Sequence, residues 1–570
     1  MQEIVVGIDF GTTFSGVSWA INHGKKSIRL IQNWPKTGAI NNNDVKVPTT
    51  IVYDSTGKPA NWGYTIGFKE ESLRWFKILL EADPRYSDKA REIHETRILL
   101  ENLGKTPVEV AGDYLGKIWE YTQKDIRRHM GCDGWQQDCE ILFVVTVPAV
   151  WSASAKQKTL DAAAAAGLGP RIQLLPEPQA AALAALEEME DQDRLKIGEA
   201  FTICDAGGGT VDLISYVVTD TNPVRIRECA VGDGDLCGSV YINHAFEKDL
   251  KLRVGERQYK SIQRARRRKM LLDFDTVKQS YEGDPTKDFE VDLKGVQDSK
   301  ENGIEDETIA ISASTMRTVF DHVCGQIENL IQKQLQSAIL LVGGFGESKY
   351  LYHRLEESYQ SCGIRVIQAQ GAWSAICRGA TLWGLSRSSP TLAPMVTSVK
   401  SRVSYGMCVR EPYEANVHLE EDLVFDEENW EWMADNQMNW LLQRGDTIEE
   451  GKQLQLSVFR NVAFEEKKLF SPTVPTFTEH TFDVTLWVSH TDSPPSRAND
   501  SCKELVSVNV TLTRAQIKDF GHKFKSKKDK STWRRVDYTV VMTLNNSHFE
   551  ITVNCRGQDI TSFNTEYVEE

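Results

Sequence analysis

Two stretches of the chain, about two hundred residues apart, follow one pattern. The first is Ile4–Ala20, IVVGIDFGTTFSGVSWA, and the second is Phe201–Val218, FTICDAGGGTVDLISYVV. Each opens with an apolar run that reads as a buried strand. Each then places one aspartate (Asp9, Asp205), a turn of Gly and Thr, and a second apolar strand. This predicts a β-hairpin with a glycine-rich tip, present twice. Small residues at such a tip let backbone N–H groups surround a phosphate, and an aspartate at the strand end can hold magnesium. Either hairpin alone fits an ordinary tight turn as well as a phosphate site. The pair, with both aspartates in register, favours two similar half-domains closing on one polyphosphate.

The chain has 570 residues, too many for one core, so two to four domains are expected. Its hydrophobic and charged fractions, 41% and 26%, are those of an ordinary soluble protein. A formal charge of −15 argues against broad nucleic-acid binding. The basic run Arg264–Lys269 is followed by Met270, Leu271 and Leu272, which fits a solvated helix face better than a nucleic-acid contact. The 11 cysteines are odd in number, scattered and without a CxxC pair, as in a reducing compartment. Met1-Gln-Glu leads straight into a strand, so no signal peptide is expected. The apolar stretch Ile141–Trp151 is too short to span a bilayer. The expected location is cytoplasmic or nuclear, with neither nucleic acid nor membrane as partner.

Strands and helices alternate along the first two-thirds. Ile141–Val147 reads as a buried strand ended by Pro148. Ser152–Ala166 reads as a helix capped at Gly167. Gln173-Leu-Leu-Pro is a short strand and Glu177–Glu188 an Ala-rich helix. Residues 239–335 read as mainly helical, interrupted at Gly283–Glu307 by a loop with a small strand pair. Ser337–Val342 is a strand and Lys349–Ser358 a helix, giving an α/β class. Ser386–Pro394 (SRSSPTLAP) reads as a linker. Beyond it, His480–Ser489, Leu505–Leu512, Val536–Leu544 and His548–Asn554 alternate with period two, as strands of a half-buried sheet do. Trp430, Trp432 and Trp440 are expected to pack against that sheet, in preference to lining a groove. The expected division is 1–385, a linker at 386–394, and a β-rich domain at 395–570.

Three further features bear on chemistry. Gly343 and Gly344, in LLVGGFGES, lie at a strand's C-terminal end, where a flat ligand can approach bare backbone. Glu177 stands between two prolines that restrict where its carboxylate points; it also suits the first turn of a helix. Three carboxylates, Asp9, Asp205 and Glu177, converging in one cleft imply a cation, and magnesium suits hard oxygen ligands. Asp212, just past Thr210 on the returning strand, is placed to orient a water. The run from Asp233 to Gly238 imitates a calcium loop, but the twelfth position is His244, so that reading fails.

VVGIDFGTTFSGV, VVTVPAVWSASAKQKTLDAAAAAGL, LLPEPQAAAL, TICDAGGGTVDL and ILLVGGFGES occur in the order found in the actin-like ATPase superfamily. Together they resemble the nucleotide-binding domain of DnaK-type chaperones, the heat-shock protein 70 family, over roughly residues 3–385. The resemblance implies an α/β, two-lobed actin-like (ribonuclease H-like) fold with ATP or ADP and magnesium in a central cleft. By position, Asp9 and Asp205 would hold the hydrated metal. Thr12, Thr13 and Phe14 would meet phosphate, Gly207, Gly208, Gly209 and Thr210 would embrace the γ-phosphate, and Glu177 and Asp212 would position water and metal. Gly343 and Gly344 would line the adenosine pocket, with Asp275 and Lys278 nearby. Lys77, in LRWFKILL, is the candidate for the family's first-lobe lysine, although it also suits a surface position on an amphipathic helix.

The departures are local. Gln279 stands where the family has the arginine that stacks on adenine, Cys237-Gly238-Ser239-Val240 replaces an acidic GGED segment, and Trp373 replaces an aspartate. Base selectivity is therefore expected to be weak. Ser404-Tyr-Gly406, Leu441–Gly451 and VVMTLNNSHFEITV resemble parts of the family's peptide-binding β-sandwich, and no helical lid is expected. The function implied is an ATP-binding, slowly hydrolysing, chaperone-like protein. Its partners would be extended or unfolded peptides or one dedicated protein. The alternative is a nucleotide-gated interaction protein with little turnover. A small-molecule kinase would need a substrate-binding insertion that the sequence does not display.

Overall fold

The computed structural model describes residues 2–23, 27–37, 43–81, 90–190, 193–222, 224–387, 396–449, 452–464, 478–545 and 548–564. The chain divides into two compact units, Met1–Val396 and Thr397–Glu570. Beyond Arg387, the expected linker lies outside the described residues.

The first unit is built on two sheets of the same design. In one, the strand order is Arg29–Leu30, Phe14–Ile21, Gln2–Asp9, Cys139–Val147, Ile172–Pro176, and Lys46–Pro48 also pairs with Phe14–Ile21. In the other it is Val224–Glu228, Val211–Thr221, Ala200–Ala206, Ala338–Val342, Arg365–Gln368, and Asp233–Asp235 also pairs with Val211–Thr221. In both sheets the leading hairpin is antiparallel and the next two strands add in parallel. The repeat seen in the sequence is thus the leading hairpin of a repeated sheet. The central strands are apolar on both faces because helices cover both: Ile4, Val5, Val6 and Ile8 in one sheet, Phe201, Ile203 and Cys204 in the other, are all buried.

Local chemistry sets the helix ends. Helix Pro107–Met130 starts at a capping box in which the Thr106 hydroxyl accepts from the Glu109 N–H, and Pro107 occupies the first position, where no N–H is needed. It ends at Gly131, whose φ of 70° only glycine adopts easily. Helix Ala153–Ala165 is capped by the Ser152 hydroxyl. The segment 283–307 was expected to carry a strand pair. It contributes Phe289–Asp292 and Ile304–Glu305 to a three-stranded sheet whose middle strand is Thr308–Ile311.

Helices Glu177–Glu187 and Ala375–Arg387 cross beneath the two sheets. Their small residues allow very close approach: Ala180, Ala181, Ala182, Ala184 and Ala380 are buried, and a β-carbon on Gly379 would fall 1.7 Å from the Ala180 carbonyl oxygen. The second of these helices also lies against the first sheet. The Ser18 hydroxyl donates to the Cys377 carbonyl at 2.9 Å and shares a 2.6 Å hydrogen bond with Thr381.

The second unit is an antiparallel β-sandwich. One sheet runs Leu423–Asp426, Glu431–Leu442, Ser404–Pro412, Glu479–Ser489, Cys502–Thr513. The other runs Gln453–Ala463, Thr532–Asn545, His548–Cys555, Gln558–Asn564, with His522–Lys525 pairing with Thr532–Asn545. Met407, Phe482, Val484, Val510, Leu512, Val536, Val540, Ile551 and Val553 fill the space between them. The tryptophans divide. Trp440 is partly buried and its Nε1 donates to the Pro495 carbonyl at 2.8 Å. Trp430 and Trp432 are 57% and 55% exposed, edge-on to Phe425, so these two do not pack against the sheet as expected. Among the described residues no helix is long and apolar enough to cross a membrane.

The helix crossing makes a prediction. Gly379→Ala drives a methyl into backbone and should destabilise the protein by about 3 kcal/mol or more. Gly325→Ala, in helix Ala313–Lys333 with open space at its α-carbon, should be neutral or stabilising by up to about 1 kcal/mol. Urea denaturation midpoints of the two variants check this; equal midpoints would contradict the close crossing.

Candidate functional site

The two hairpin tips face each other, and each has its carbonyls held from behind. At the second tip, the carbonyls of Gly207, Gly208 and Gly209 accept from the N–H groups of Ser239, Val240 and Gly238 at 3.1, 2.9 and 3.2 Å. A trans peptide points the next N–H the opposite way, so the N–H groups of Gly208, Gly209 and Thr210 turn away from that support. At the first tip, Thr49 holds the Gly11 carbonyl through its hydroxyl at 2.8 Å and the Thr13 carbonyl through its N–H at 2.8 Å. The N–H groups of Thr12 and Phe14 turn away in the same manner. Clustered N–H groups of this kind form an anion-binding concavity. The tips are in contact: a β-carbon on Gly208 would fall 2.1 Å from Thr13 Oγ1, and one on Gly209 would fall 3.1 Å from Thr12 Cγ2. A small cavity beside them is lined by Thr12, Ile78, Pro148, Val150, Trp151, Thr210, Asp212 and Asp235.

Asp9, Glu177, Asp205 and Asp212 are all buried around these tips. Lys77 joins them. It is 1% exposed, and its Nζ lies 2.6 Å from Glu177 Oε1, over the rings of Trp151 and Phe10 at 5.2 and 5.7 Å. The amphipathic-helix alternative for Lys77 does not hold. Leu73–Arg74 is a short strand, Trp75 takes a left-handed φ of 61°, and a single 3-10 turn, Ile78–Leu80, follows Lys77.

Lys46 is the residue the sequence reading missed. Its Nζ lies 2.6 Å from Asp9 Oδ2. Burial pulls the ammonium down, but the charge and hydrogen bond of Asp9 outweigh it and hold Lys46 above its ordinary value. Glu177 is raised by burial against the lowering effect of Lys77. Asp205 is raised well above the carboxylate range by burial, then by the charges of Glu177, Asp212 and Asp9. Asp212 is pushed up to about 7 by burial and by Glu177, although Lys77 and the Thr210 hydroxyl pull it down. Two of the four carboxylates therefore have a lysine each, and Asp205 and Asp212 share a surplus of negative charge.

This surplus is the test for a metal. Among the described residues, no three His, Cys, Asp or Glu side chains converge closely enough to ligate one ion directly. A hydrated magnesium ion, which keeps most of its waters and needs only one or two carboxylates, fits the donor set.

The nucleoside side differs in kind. A β-carbon on Gly343, at φ 83°, would lie 2.5 Å from Asp205 Oδ1, so the glycine turn abuts the acid cluster. Gly344 faces the Trp373 indole, 3.2 Å from Nε1 to the place of its β-carbon, and Trp373 lies edge-on to Phe14 at 5.7 Å. Asp275 and Lys278 stand behind the second tip. Lys278 Nζ donates to the Ser239 carbonyl at 3.2 Å and to Asn243 Oδ1 at 2.7 Å, and lies 2.7 Å from Asp275 Oδ1. Those acceptors match its three donors. Its observed work is to brace the helix start that supports Gly207. Gln279, the last residue of helix Arg264–Gln279, is exposed.

Two like sheets meeting at glycine-rich tips above crossed helices define a two-lobed, actin-like ATPase fold. The Hsp70 protein family model matches residues 101–267, and a domain of unknown function (DUF8568) matches residues 399–566. Heat shock 70 kDa protein 12A of Mus musculus is 24% identical over 533 residues, covering 76% of each chain. Heat shock 70 kDa protein 12B of Homo sapiens is 23% identical over 516 residues, covering 74% of this chain and 73% of that protein. The Chaperone protein HscA homolog of Acinetobacter baumannii (strain AYE) is 28% identical over 223 residues, covering 37% of this chain and 32% of that one. The chain is thus similar to heat-shock protein 70 family proteins over about three-quarters of its length, with the family model itself matching residues 101–267. That relation supports an ATP-binding, Hsp70-like protein.

The acid surplus has a pH signature. Asp212 has a folded-state value raised to about 7, so the native state binds more protons than the unfolded one. Its contribution to stability is neutral below the unfolded value, about 4, and becomes a penalty as pH rises to about 7. Asp212→Asn should remove that penalty, with the ligand-free variant gaining on the order of a few kcal/mol at pH 8 and little at pH 4.5. Thermal melts of both proteins across this range check it; a constant difference in Tm would contradict the assignment.

Proposed function

We infer that the first unit binds ATP or ADP with its phosphates between the two hairpin tips and hydrolyses ATP slowly, as a chaperone-like protein. The observation that carries this reading is the pair of facing N–H clusters beside an unbalanced acid pair. Thr12, Thr13 and Phe14 would hold phosphate from one side, and Gly207, Gly208, Gly209 and Thr210 from the other. Asp205 and Asp212, with Asp9 behind them, would hold a hydrated magnesium ion, which when bound offsets charge on the phosphates. Glu177 and Asp212 orient the attacking water, and Lys77, anchored on Glu177, places its ammonium where charge develops on the γ-phosphate. Gly343 and Gly344 border the nucleoside, and Lys278 with Asp275 stiffens the wall behind the second tip.

Hydrolysis and binding are separable. The contact of Thr13 with Gly208 means the tips must part to admit phosphate, which favours a second reading: a nucleotide-gated interaction protein in which closure, not turnover, is the output. In either case the sandwich would take extended peptides or one dedicated partner. The reading as an intracellular protein rests on the odd number and scattered spacing of the 11 cysteines, which form no CxxC pair.

Single-turnover hydrolysis with magnesium separates the two. Asp205→Asn should slow hydrolysis by about a hundredfold or more while leaving the fold intact. Equal rates in the folded variant and the wild type would remove Asp205 from the reaction. No turnover in the wild type, with nucleotide bound, would select the gated reading.

Base selectivity is a separate matter. Gln279 brings no planar cation over the base, so ATP and GTP should compete for the site within about tenfold of each other. Gln279→Arg should widen the gap, as measured by competition binding. A strong native preference for ATP would place selectivity elsewhere, with Trp373 the first residue to examine.

A further inference from the structure

The two sheets share a topology but differ in charge along one row of residues. In the first sheet Asp9 pairs with Gly16 on the next strand, and Gly16 pairs with Lys46 on the strand beyond. In the second sheet the row is Asp205, Asp212, Gly234. One row therefore carries an acid, a gap and a cation. The other carries two acids and a gap.

The gap in the first row makes the ion pair possible. Lys46 and Asp9 are separated by two strand spacings, about 10 Å. The lysine stem crosses the intervening strand over Gly16, where a β-carbon would fall 3.0 Å from Lys46 Cγ and 3.5 Å from Cε. The ammonium reaches Asp9 Oδ2 at 2.6 Å, with Lys46 5% and Asp9 2% exposed. The backbone is fixed as well: the Tyr64 hydroxyl donates to the Lys46 carbonyl at 3.2 Å. Removing one member of a buried pair leaves an uncompensated charge, so Asp9 is already committed to a cation.

We propose that Lys46 is a built-in cation of the phosphate site, so that the cleft holds a nucleoside di- or triphosphate without a divalent ion. Any metal contribution is confined to the Asp205–Asp212 side. The proposal rests on the reading that the cleft binds nucleotide. The first lobe meets the phosphates with an ammonium already in place beside Asp9. The second lobe meets them with two acids that a divalent ion would balance. Asp9 thereby becomes the anchor of Lys46, acting on the ligand through it.

The test is equilibrium binding of ADP and ATP to the full-length protein by calorimetry, with magnesium and with excess EDTA. Three proteins are compared: wild type, Lys46→Met, and the double variant Asp9→Asn/Lys46→Met, which removes both buried charges and guards against misfolding of the single one. Wild-type affinity should fall less than about tenfold in EDTA, and that of the double variant more than about a hundredfold. With magnesium, the double variant should regain at least about tenfold of the affinity it loses in EDTA, through Asp205 and Asp212, and the absence of any gain would overturn the proposal. A wild type that loses affinity in EDTA as steeply as the double variant would overturn the proposal, as would a double variant that binds in EDTA as well as wild type. No binding by wild type in either buffer would overturn the nucleotide reading itself, and the proposal with it.

Discussion

Four carboxylates and two lysines are withdrawn from water where the two hairpin tips meet, and the charge imbalance among them governs the cleft. Burying a carboxylate without a partner is expensive. Lys46 relieves Asp9 and Lys77 relieves Glu177, both at 2.6 Å. Among the described residues Asp205 and Asp212 make no ion pair, and burial first, then the neighbouring carboxylates, drives their carboxyls upward. A cleft whose acids ionise only against burial and one another, beside outward-turned N–H groups, is a poor resting place for a side chain. It suits a ligand that brings both anionic oxygens and a cation.

The supporting structure is arranged so that this cluster cannot relax. Gly207, Gly208 and Gly209 are tied to residues 238–240 at the start of helix Val240–Val254, and Lys278 secures the Ser239 carbonyl in turn. At the first tip Thr49 does the equivalent work, and its hydroxyl is itself 2.9 Å from that of Ser15. The same outcome, N–H groups turned into the gap, is reached with a helix start in one lobe and a single threonine in the other. The lobes share strand order while their charged rows and braces have diverged.

Much of this was legible in the sequence where the signal is local. The hairpins, strand Cys139–Val147, the Ser152-capped helix and the placement of Glu177 all follow from short runs of residues whose neighbours in sequence are their neighbours in space. Asp9, Asp205, Asp212 and the glycines came out of the same pattern. Lys46 did not, because its partner lies 37 residues away across an intervening strand and a lone lysine before Val-Pro carries no motif. The burial of Lys77 depends on Glu177, 100 residues on, and on aromatic walls from Phe10 and Trp151. The family resemblance puts Lys278 beside the nucleoside, and only its hydrogen bonds to Ser239 and Asn243 show where its protons go. The exposed Trp430 and Trp432 show the opposite failure: alternation says which face a residue takes, not whether anything covers that face.

Closure of the cleft is constrained from below. Helix Glu177–Glu187 touches strands of both sheets, and helix Ala375–Arg387 is pressed against it at Gly379 while holding the first sheet through Ser18 and Thr381. A junction with backbone against backbone has no slack to slide. The tips, in contrast, meet through the Thr12 and Thr13 side chains and bare glycine, contacts with little buried area to lose. Parting would therefore cost least at the tips and most at the crossing. Glu177 opens the helix at that crossing and holds Lys77 at its first turn. One carboxylate thus joins the buried ammonium of the cleft to the first turn of the helix that runs through the crossing.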